Sequence, residues 1–257
     1  MKVVIFAGGM GTRISEESHL KPKPMIEIGG KPILWHIMKH YASYGHREFV
    51  ICLGYKGHLI REYFMNYFLV NSDITMDLKT NNIEVHSSDS EDFKVTLVDT
   101  GLHTMTAGRL KQVQRYVQDE DFMLTYGDGL CDINIDELLK FHAGHDKIAT
   151  MTAIQPGSRF GVMEFDGDNT ITKFHEKPKE SGAWINGGFF VLKPSVFNHL
   201  KDDADEVMWE RQPLEDLSAS KEIVAYKYDG FWKCMDTIRD KEDLETMWQS
   251  DPKWKSW

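Results

Sequence analysis

Only three of the 257 residues are cysteines, Cys52, Cys131 and Cys234, and they lie far apart with no CxxC pair. Neither a disulfide framework nor a zinc site is signalled by that spacing. Long apolar runs are also missing. The best candidates, Lys2 to Ala7 and Phe49 to Leu53, fall far short of a signal-peptide core or a membrane span. The expectation is a cytoplasmic protein with no membrane partner. Positive charge is in deficit, with 30 Lys+Arg against 40 Asp+Glu, which argues against the basic footprint that binding a nucleic-acid backbone needs. No nucleic acid is expected, and any anionic substrate must be held by locally concentrated positive charge. There is no internal repeat, low-complexity tract or Pro/Gly/Ser-rich linker long enough to separate two domains. Residues 1–257 are therefore read as one domain, near the upper end of the usual size.

What is present is an alternation of short apolar runs and helical patterns. Lys2 to Phe6 reads as a buried strand feeding a glycine loop. Pro32 suits a first helical position, and Ile33, Leu34, Ile37, Met38 and Tyr41 predict a helix from Lys31 to about Ser43. Phe49 to Leu53 is strand again, and His58 to Phe68 is helix. This is βαβ grammar, implying a parallel sheet. Between Asp73 and Val98, short alternating runs broken by Asn81-Asn82 and by Ser87 to Asp92 predict inserted antiparallel hairpins. The α/β rhythm resumes with helix at Leu110 to Val117, strand at Phe122 to Tyr126, helix at Ile135 to His145 and strand at Ile148 to Ile154. Further strands are expected at Val162 to Phe165, Ile171 to His175, Ile185 to Leu192 and Ile223 to Tyr228, with helices near Pro194 to Leu200 and Arg239 to Trp248. The fold class is α/β, a Rossmann-like, mostly parallel mixed sheet flanked by helices.

The first strand ends in Ala7-Gly8-Gly9-Met10-Gly11-Thr12-Arg13. This is neither a Walker A motif nor the GxGxxG dinucleotide fingerprint. Its physics still points to phosphate: without side chains at three positions the backbone amides can approach a polyanion, and Arg13 adds a fork of donors. Lys21-Pro22-Lys23-Pro24 follows, and its prolines favour an extended backbone that presents lysine rigidly. Asp128, in Tyr126-Gly127-Asp128-Gly129, comes directly after an apolar strand, so it belongs at a carboxyl edge where α/β sheets bind ligands. His36 and His40 are spaced i, i+4, but no third ligand is suggested nearby, so they are read as ordinary helix histidines. The aromatics Tyr63, Phe64, Tyr67 and Phe68, and the C-terminal tryptophans, are read as packing.

Taken in order, GGMGTR, KPKPM and GGKPILWHIM resemble the sugar 1-phosphate nucleotidyltransferase family. Within it, GYKG, VDTG, TAGRL, TYGDG, EKPK, INGGFFVL and FWKCMDT look most like the cytidylyltransferases that act on glucose 1-phosphate, over nearly the whole chain. The resemblance implies an enzyme that joins CTP to glucose 1-phosphate with release of pyrophosphate. It implies that Asp128 and Asp236 share Mg2+, and that Arg13 and Lys23 face the nucleotide phosphates. It implies that Thr104, Gly108, Arg109 and Gly127 lie at the nucleotide. It places Lys177 at the sugar phosphate, and Glu176, Asn186, Gly187 and Gly188 near the sugar hydroxyls. Other bases on the same scaffold, thymidylyl or uridylyl transfer, and a non-catalytic regulatory relative are the competing readings. A homo-oligomer is expected. The segments Ser87 to Phe93 and Asp202 to Met208 depart from the family's wording.

Overall fold

A computed structural model describes residues 1–156, 162–165, 171–175 and 183–257; the side chains of Arg13, Ser15 and Glu16 and of residues 162–165 and 171–175 are not described. The central sheet has seven strands: β1 (Val3–Phe6), β2 (Glu48–Leu53), β3 (Lys94–Asp99), β4 (Phe122–Tyr126), β5 (Ala149–Ile154), β6 (Ile185–Leu192) and β7 (Ile223–Tyr228). Their spatial order is β7-β5-β6-β4-β1-β2-β3. β1 pairs in parallel with both β2 and β4, β2 with β3, and β5 with β7. β6 runs antiparallel to β4 and β5, which makes the sheet mixed.

Both faces of this sheet are covered, and the sequence of β1 shows why: all four residues of Val-Val-Ile-Phe are apolar and buried. A strand alternates its side chains between faces, so a strand buried on both sides needs an unbroken apolar run. Val3 and Ile5 join one core with Ile33, Leu34, Ile37, Met38 and Tyr41 of the helix Ile33–Ser43. Val4 and Phe6 join the other with Ala107, Leu110, Phe190 and Trp209. Full burial of each such side chain is worth about 1.5–3 kcal/mol before the entropy of ordering is subtracted.

β1 lies between β2 and β4 in the sheet, and the carboxyl ends of such neighbouring parallel strands are where α/β sheets take ligands. A second device lies beside those ends. The short strand Gly129–Cys131 pairs antiparallel with Trp232–Cys234, and Met235 N–H donates to the Asp128 carbonyl at 2.9 Å. This ribbon brings two distant segments to the end of β4.

The inserted region differs from its expectation. Only Ser72–Asp77 and Asn82–Ser88 form an antiparallel hairpin, turning through Asn81 at φ 57°. Lys94–Asp99 instead extends the main sheet in parallel with β2. Val95 and Leu97 pack on one core and Val98 is buried in the other, so the strand is apolar toward both layers in the way parallel strands are. The helix expected from Leu110 begins earlier, as Thr106–Gln112, followed by a short Gln114–Val117 helix. Pro194–His199 is a 3-10 segment, and a further helix, Gln212–Ala219, adds to those expected from the periodicity. Among the described residues no helix is long and apolar enough to cross a membrane.

Candidate active site

The glycine loop leaves β1 at its carboxyl end. Ala7 and Gly8 are buried while Gly9, Met10 and Thr12 are exposed. Gly11 sits at φ 64°, a left-handed conformation that side chains resist. The backbone of Arg13 lies in the 3-10 turn Thr12–Ile14. Pro22 is extended, as its sequence suggests, but Lys23–Met25 then closes a 3-10 turn, with Met25 N–H donating to the Pro22 carbonyl at 2.8 Å. That turn aims Lys23 at the ribbon. Its Nζ donates to Asp128 Oδ2 at 2.5 Å and to Asp236 Oδ1 at 2.6 Å. Burial alone would depress this ammonium, yet the charge of Asp128 and the hydrogen bonds to Asp128 and Asp236 help to outweigh it and hold the lysine above its usual pKa.

Asp128 and Asp236 therefore converge although they lie far apart in the sequence. Asp236 directly precedes Thr237, which caps the helix Ile238–Ser250 in a reciprocal box with Asp240, and Asp236 N–H donates to Asp240 Oδ2 at 3.2 Å. The Cys234 Sγ and carboxylate oxygens of both aspartates lie within 4.8 Å of one another. Two carboxylates that reach a single ammonium can share a small cation, and hard oxygen donors suit a hard divalent ion. Cys234 is a softer donor, and burial, reinforced by the Asp128 charge, pushes its thiol up and keeps it protonated.

Two cavities meet at this pair. One, of about 420 Å³, is lined by Ala7, Gly9, Gly11, Thr12, Lys23, Thr106, Tyr126, Asp128, Met208 and Asp236, among others. The other, of about 230 Å³, is lined by Tyr126, Asp128, Asn186, Gly187, Phe189, Trp232, Cys234 and Asp236, with Thr125 and Gly129. Tyr126, Asp128 and Asp236 belong to both. Gly127 permits the contact from below: its N–H donates to the Phe6 carbonyl at 2.9 Å, and a Cβ there would sit 2.7 Å from that oxygen. In the smaller cavity Asn186 Oδ1 accepts from Gly188 N–H at 2.8 Å, and Trp232 Nε1 donates to the Gly187 carbonyl at 2.8 Å.

Other expected site residues stand elsewhere. Arg109 is buried beneath the glycine loop. Its Nη1 donates to the carbonyls of Leu53 (2.9 Å) and Gly101 (3.0 Å) and to Thr100 Oγ1 (2.7 Å), and its Nη2 to the Gly8 carbonyl (3.1 Å). The guanidinium is thus turned to the underside of the loop, where it braces the backbone. Gly108 is needed for packing, since a Cβ would meet the Oδ1 and Cα of Asp205. Thr104 is half-buried and is not among the residues lining either cavity. Glu176 and Lys177 lie outside the described residues. His36 and His40 are core histidines: His36 Nε2 donates to the Ile28 carbonyl at 2.8 Å, and His40 Nδ1 lies 3.2 Å from Ser256 Oγ.

Sequence reasoning passes over Tyr126, Met208, Trp232 and Cys234 as lining residues, while Thr106 falls within the stretch from Thr104 to Arg109 that the resemblance sets at the nucleotide. Tyr126 carries a signal, as the last residue of the strand that delivers Asp128. Met208 carries none, because an irregular segment brings it to the larger cavity.

The chain matches the family described as Nucleotidyl transferase over residues 2–233. It is 52% identical to a glucose-1-phosphate cytidylyltransferase of Salmonella typhi, and 44% identical to a probable glucose-1-phosphate cytidylyltransferase of Bacillus subtilis, with all of each chain covered. Its fold is similar to a crystal structure of a Bacillus anthracis protein described as a putative glucose-1-phosphate thymidylyltransferase in complex with a sucrose. There the TM-score is 0.72 at 17% identity, covering 97% of this chain and 96% of that one. The chain belongs to the nucleotidyl transferase family, and glucose-1-phosphate cytidylyltransferases are its full-length relatives.

Proposed function

We propose that this protein transfers a cytidylyl group from CTP to glucose 1-phosphate, with Mg2+ held by Asp128 and Asp236. The observation that carries the proposal is the meeting of two unequal cavities at one pair of carboxylates. A reaction that joins two anions needs a compartment for each and positive charge at the seam. The full-length relatives supply the identity of the substrates, and the family uses divalent metal ions. When bound, the metal would neutralise phosphate charge at the reacting phosphorus.

In this reading the larger cavity takes the nucleotide. The Gly9-to-Thr12 backbone lies along the phosphates, and Arg13 and Lys23 offer them charge-assisted hydrogen bonds. The smaller cavity takes the sugar, with Asn186 and the Gly187-Gly188 turn at the hydroxyls; the family resemblance assigns Glu176 to the hydroxyls as well and Lys177 to the sugar phosphate. A phosphate oxygen of glucose 1-phosphate forms a bond to the α-phosphorus of CTP while the bond to pyrophosphate breaks, giving CDP-glucose and pyrophosphate. The nucleophile is already ionised, so no general base is required. The protein contributes orientation and electrostatic stabilisation.

The reading treats residues 1–257 as one catalytic domain working in the cytoplasm. It also takes the protein as a homo-oligomer, supported by a hairpin that leaves Leu78, Ile83 and Val85 exposed. A lone 29.7 kDa species in light scattering would overturn the oligomer. The functional test is metal-dependent pyrophosphate release with glucose 1-phosphate and each of CTP, dTTP, UTP, ATP and GTP. Strong turnover with CTP alone is expected; preference for another nucleotide would replace the base assignment.

A further inference from the structure

A chain of hydrogen bonds crosses the wall between the two cavities. Gly188 N–H donates to Asn186 Oδ1 at 2.8 Å, and Asn186 Nδ2 donates to the Tyr126 hydroxyl at 3.1 Å. That hydroxyl donates to Glu210 Oε1 at 2.5 Å. Glu210 Oε2 accepts from Thr106 Oγ1 at 2.8 Å, and Thr106 Oγ1 accepts from Trp209 N–H at 2.7 Å. Each hydroxyl uses its one proton toward Glu210 and a lone pair away from it, so the carboxylate is the acceptor on which both halves terminate.

The halves belong to different compartments. Asn186 and Gly187 line the smaller cavity, whereas Thr106 and Met208 line the larger one, and Tyr126 lines both. Glu210 itself lines neither. It lies at the end of a strap that Met105 N–H ties to the Asp205 carbonyl (2.8 Å) and Ala107 N–H to the Val207 carbonyl (3.1 Å). The Tyr126 ring is seated beside Gly188, at φ 77°, where a Cβ would lie 3.0 Å from Tyr126 Cδ2. The ring also packs near Phe6 and Phe190, with centroids 6.0 and 6.3 Å away.

We infer that Glu210 is a positioning residue which, through the Tyr126 hydroxyl, sets the Asn186–Gly188 turn and so couples the nucleotide compartment to the sugar compartment. The inference rests on the proposed function for the identity of the two compartments. The link itself is a property of the free protein. Charge-assisted hydrogen bonds of this kind are the stronger ones in proteins, and shared networks respond non-additively to deletion.

The first arm of the test needs no substrate. Amide hydrogen exchange in the segment 185–189 is compared for the native protein, Glu210→Ala, Tyr126→Phe and the double variant. Faster exchange there in both single variants, with unfolding midpoints unchanged, is expected; unaltered exchange would overturn the inference. The second arm uses initial rates. Glu210→Ala and Tyr126→Phe should each raise KM for glucose 1-phosphate about fivefold or more, and the double variant should be no worse than the poorer single one. Glu210→Gln, which keeps one acceptor oxygen, should recover part of the loss. A sugar KM unmoved in Glu210→Ala, or multiplicative losses in the double variant, would sink the coupling. Absence of turnover in the native protein with CTP and glucose 1-phosphate would instead strike the proposed function, and the exchange arm would still decide the inference.

Discussion

Among the loop glycines, Gly8 and Gly9 are neighbours with different physical reasons for lacking a side chain. A Cβ on Gly8 would fall on the Arg109 guanidinium, whereas one on Gly9 would meet nothing within 4 Å. Gly8→Ala should therefore lose about 1–3 kcal/mol of stability from overpacking, read as a lower midpoint in urea unfolding. Gly9→Ala should unfold at the native midpoint and yet raise KM for the nucleotide, because its cost arises only when phosphate approaches the backbone. Equal stability losses in the two variants would contradict this assignment. Asp128 and Asp236 allow a sharper contrast. Replacing either by Asn removes half of the cation seat and one of Lys23's two partners. Turnover should fall by about 100-fold or more, as for other electrostatic groups at a reacting centre, with the metal concentration for half-maximal rate shifted upward. Near-native rates in either variant would unseat the metal assignment.

At the level of elements, the site depends on how the ribbon and the last helix are joined. Asp236 lies between Cys234, the last residue of the ribbon strand, and Thr237, the helix cap, so its direction is set by both. Thr237 accepts from Asp240 N–H at 3.2 Å while Asp240 Oδ2 accepts from Thr237 N–H at 2.9 Å. Thr237→Ala should cost about 1 kcal/mol as a lost N-cap. It should also weaken metal activation more than a comparable cap loss elsewhere would, because Asp236 N–H shares the same Asp240 oxygen. Asn134, which caps the helix Ile135–Ala143 by accepting from Glu137 N–H, gives the control. Asn134→Ala should lower the thermal midpoint similarly and leave the metal dependence alone. Much of this scale is legible in the sequence. Apolar runs in β1, β2, β4 and β6 identify their strands, and the run from Phe122 to Tyr126 is enough to put Asp128 at a strand end. The misplacement of Lys94–Asp99 arises because a hairpin and a returning parallel strand share the same local alternation, and only non-local pairing with Glu48–Leu53 tells them apart. Arg109 reads toward the ligand because sequence shows charge without showing which side of a loop it lies on. Met208 and Glu210 give no signal because irregular chain has no period to read.

Across the whole molecule, the C-terminal residues close the core around a histidine, and this makes stability depend on pH. His36 sits among Trp35, Trp248, Trp254 and Trp257, with ring centroids 4.9–6.1 Å away. Its Nε2 donates to the Ile28 carbonyl and its Nδ1 accepts from Trp254 Nε1 at 3.3 Å, which fixes the neutral tautomer. Burial pushes its pKa down from 6.5 to about 4, and burial does the same to His40 and His142. Between those two values the unfolded chain binds protons that the folded chain refuses, so stability must rise with pH across the interval. The contribution is complete above about pH 6.5, is lost progressively toward pH 4, and amounts to at most about 3 kcal/mol for each histidine. Urea unfolding at pH 7.0 and pH 5.0 should show a lower free energy at the acid value. His36→Gln keeps a donor for Ile28 but cannot take up a proton, so it should be less stable at pH 7.0 and show a flatter pH dependence. If the variant keeps the native slope, the tryptophan-lined histidine is not what makes the fold sensitive to acid.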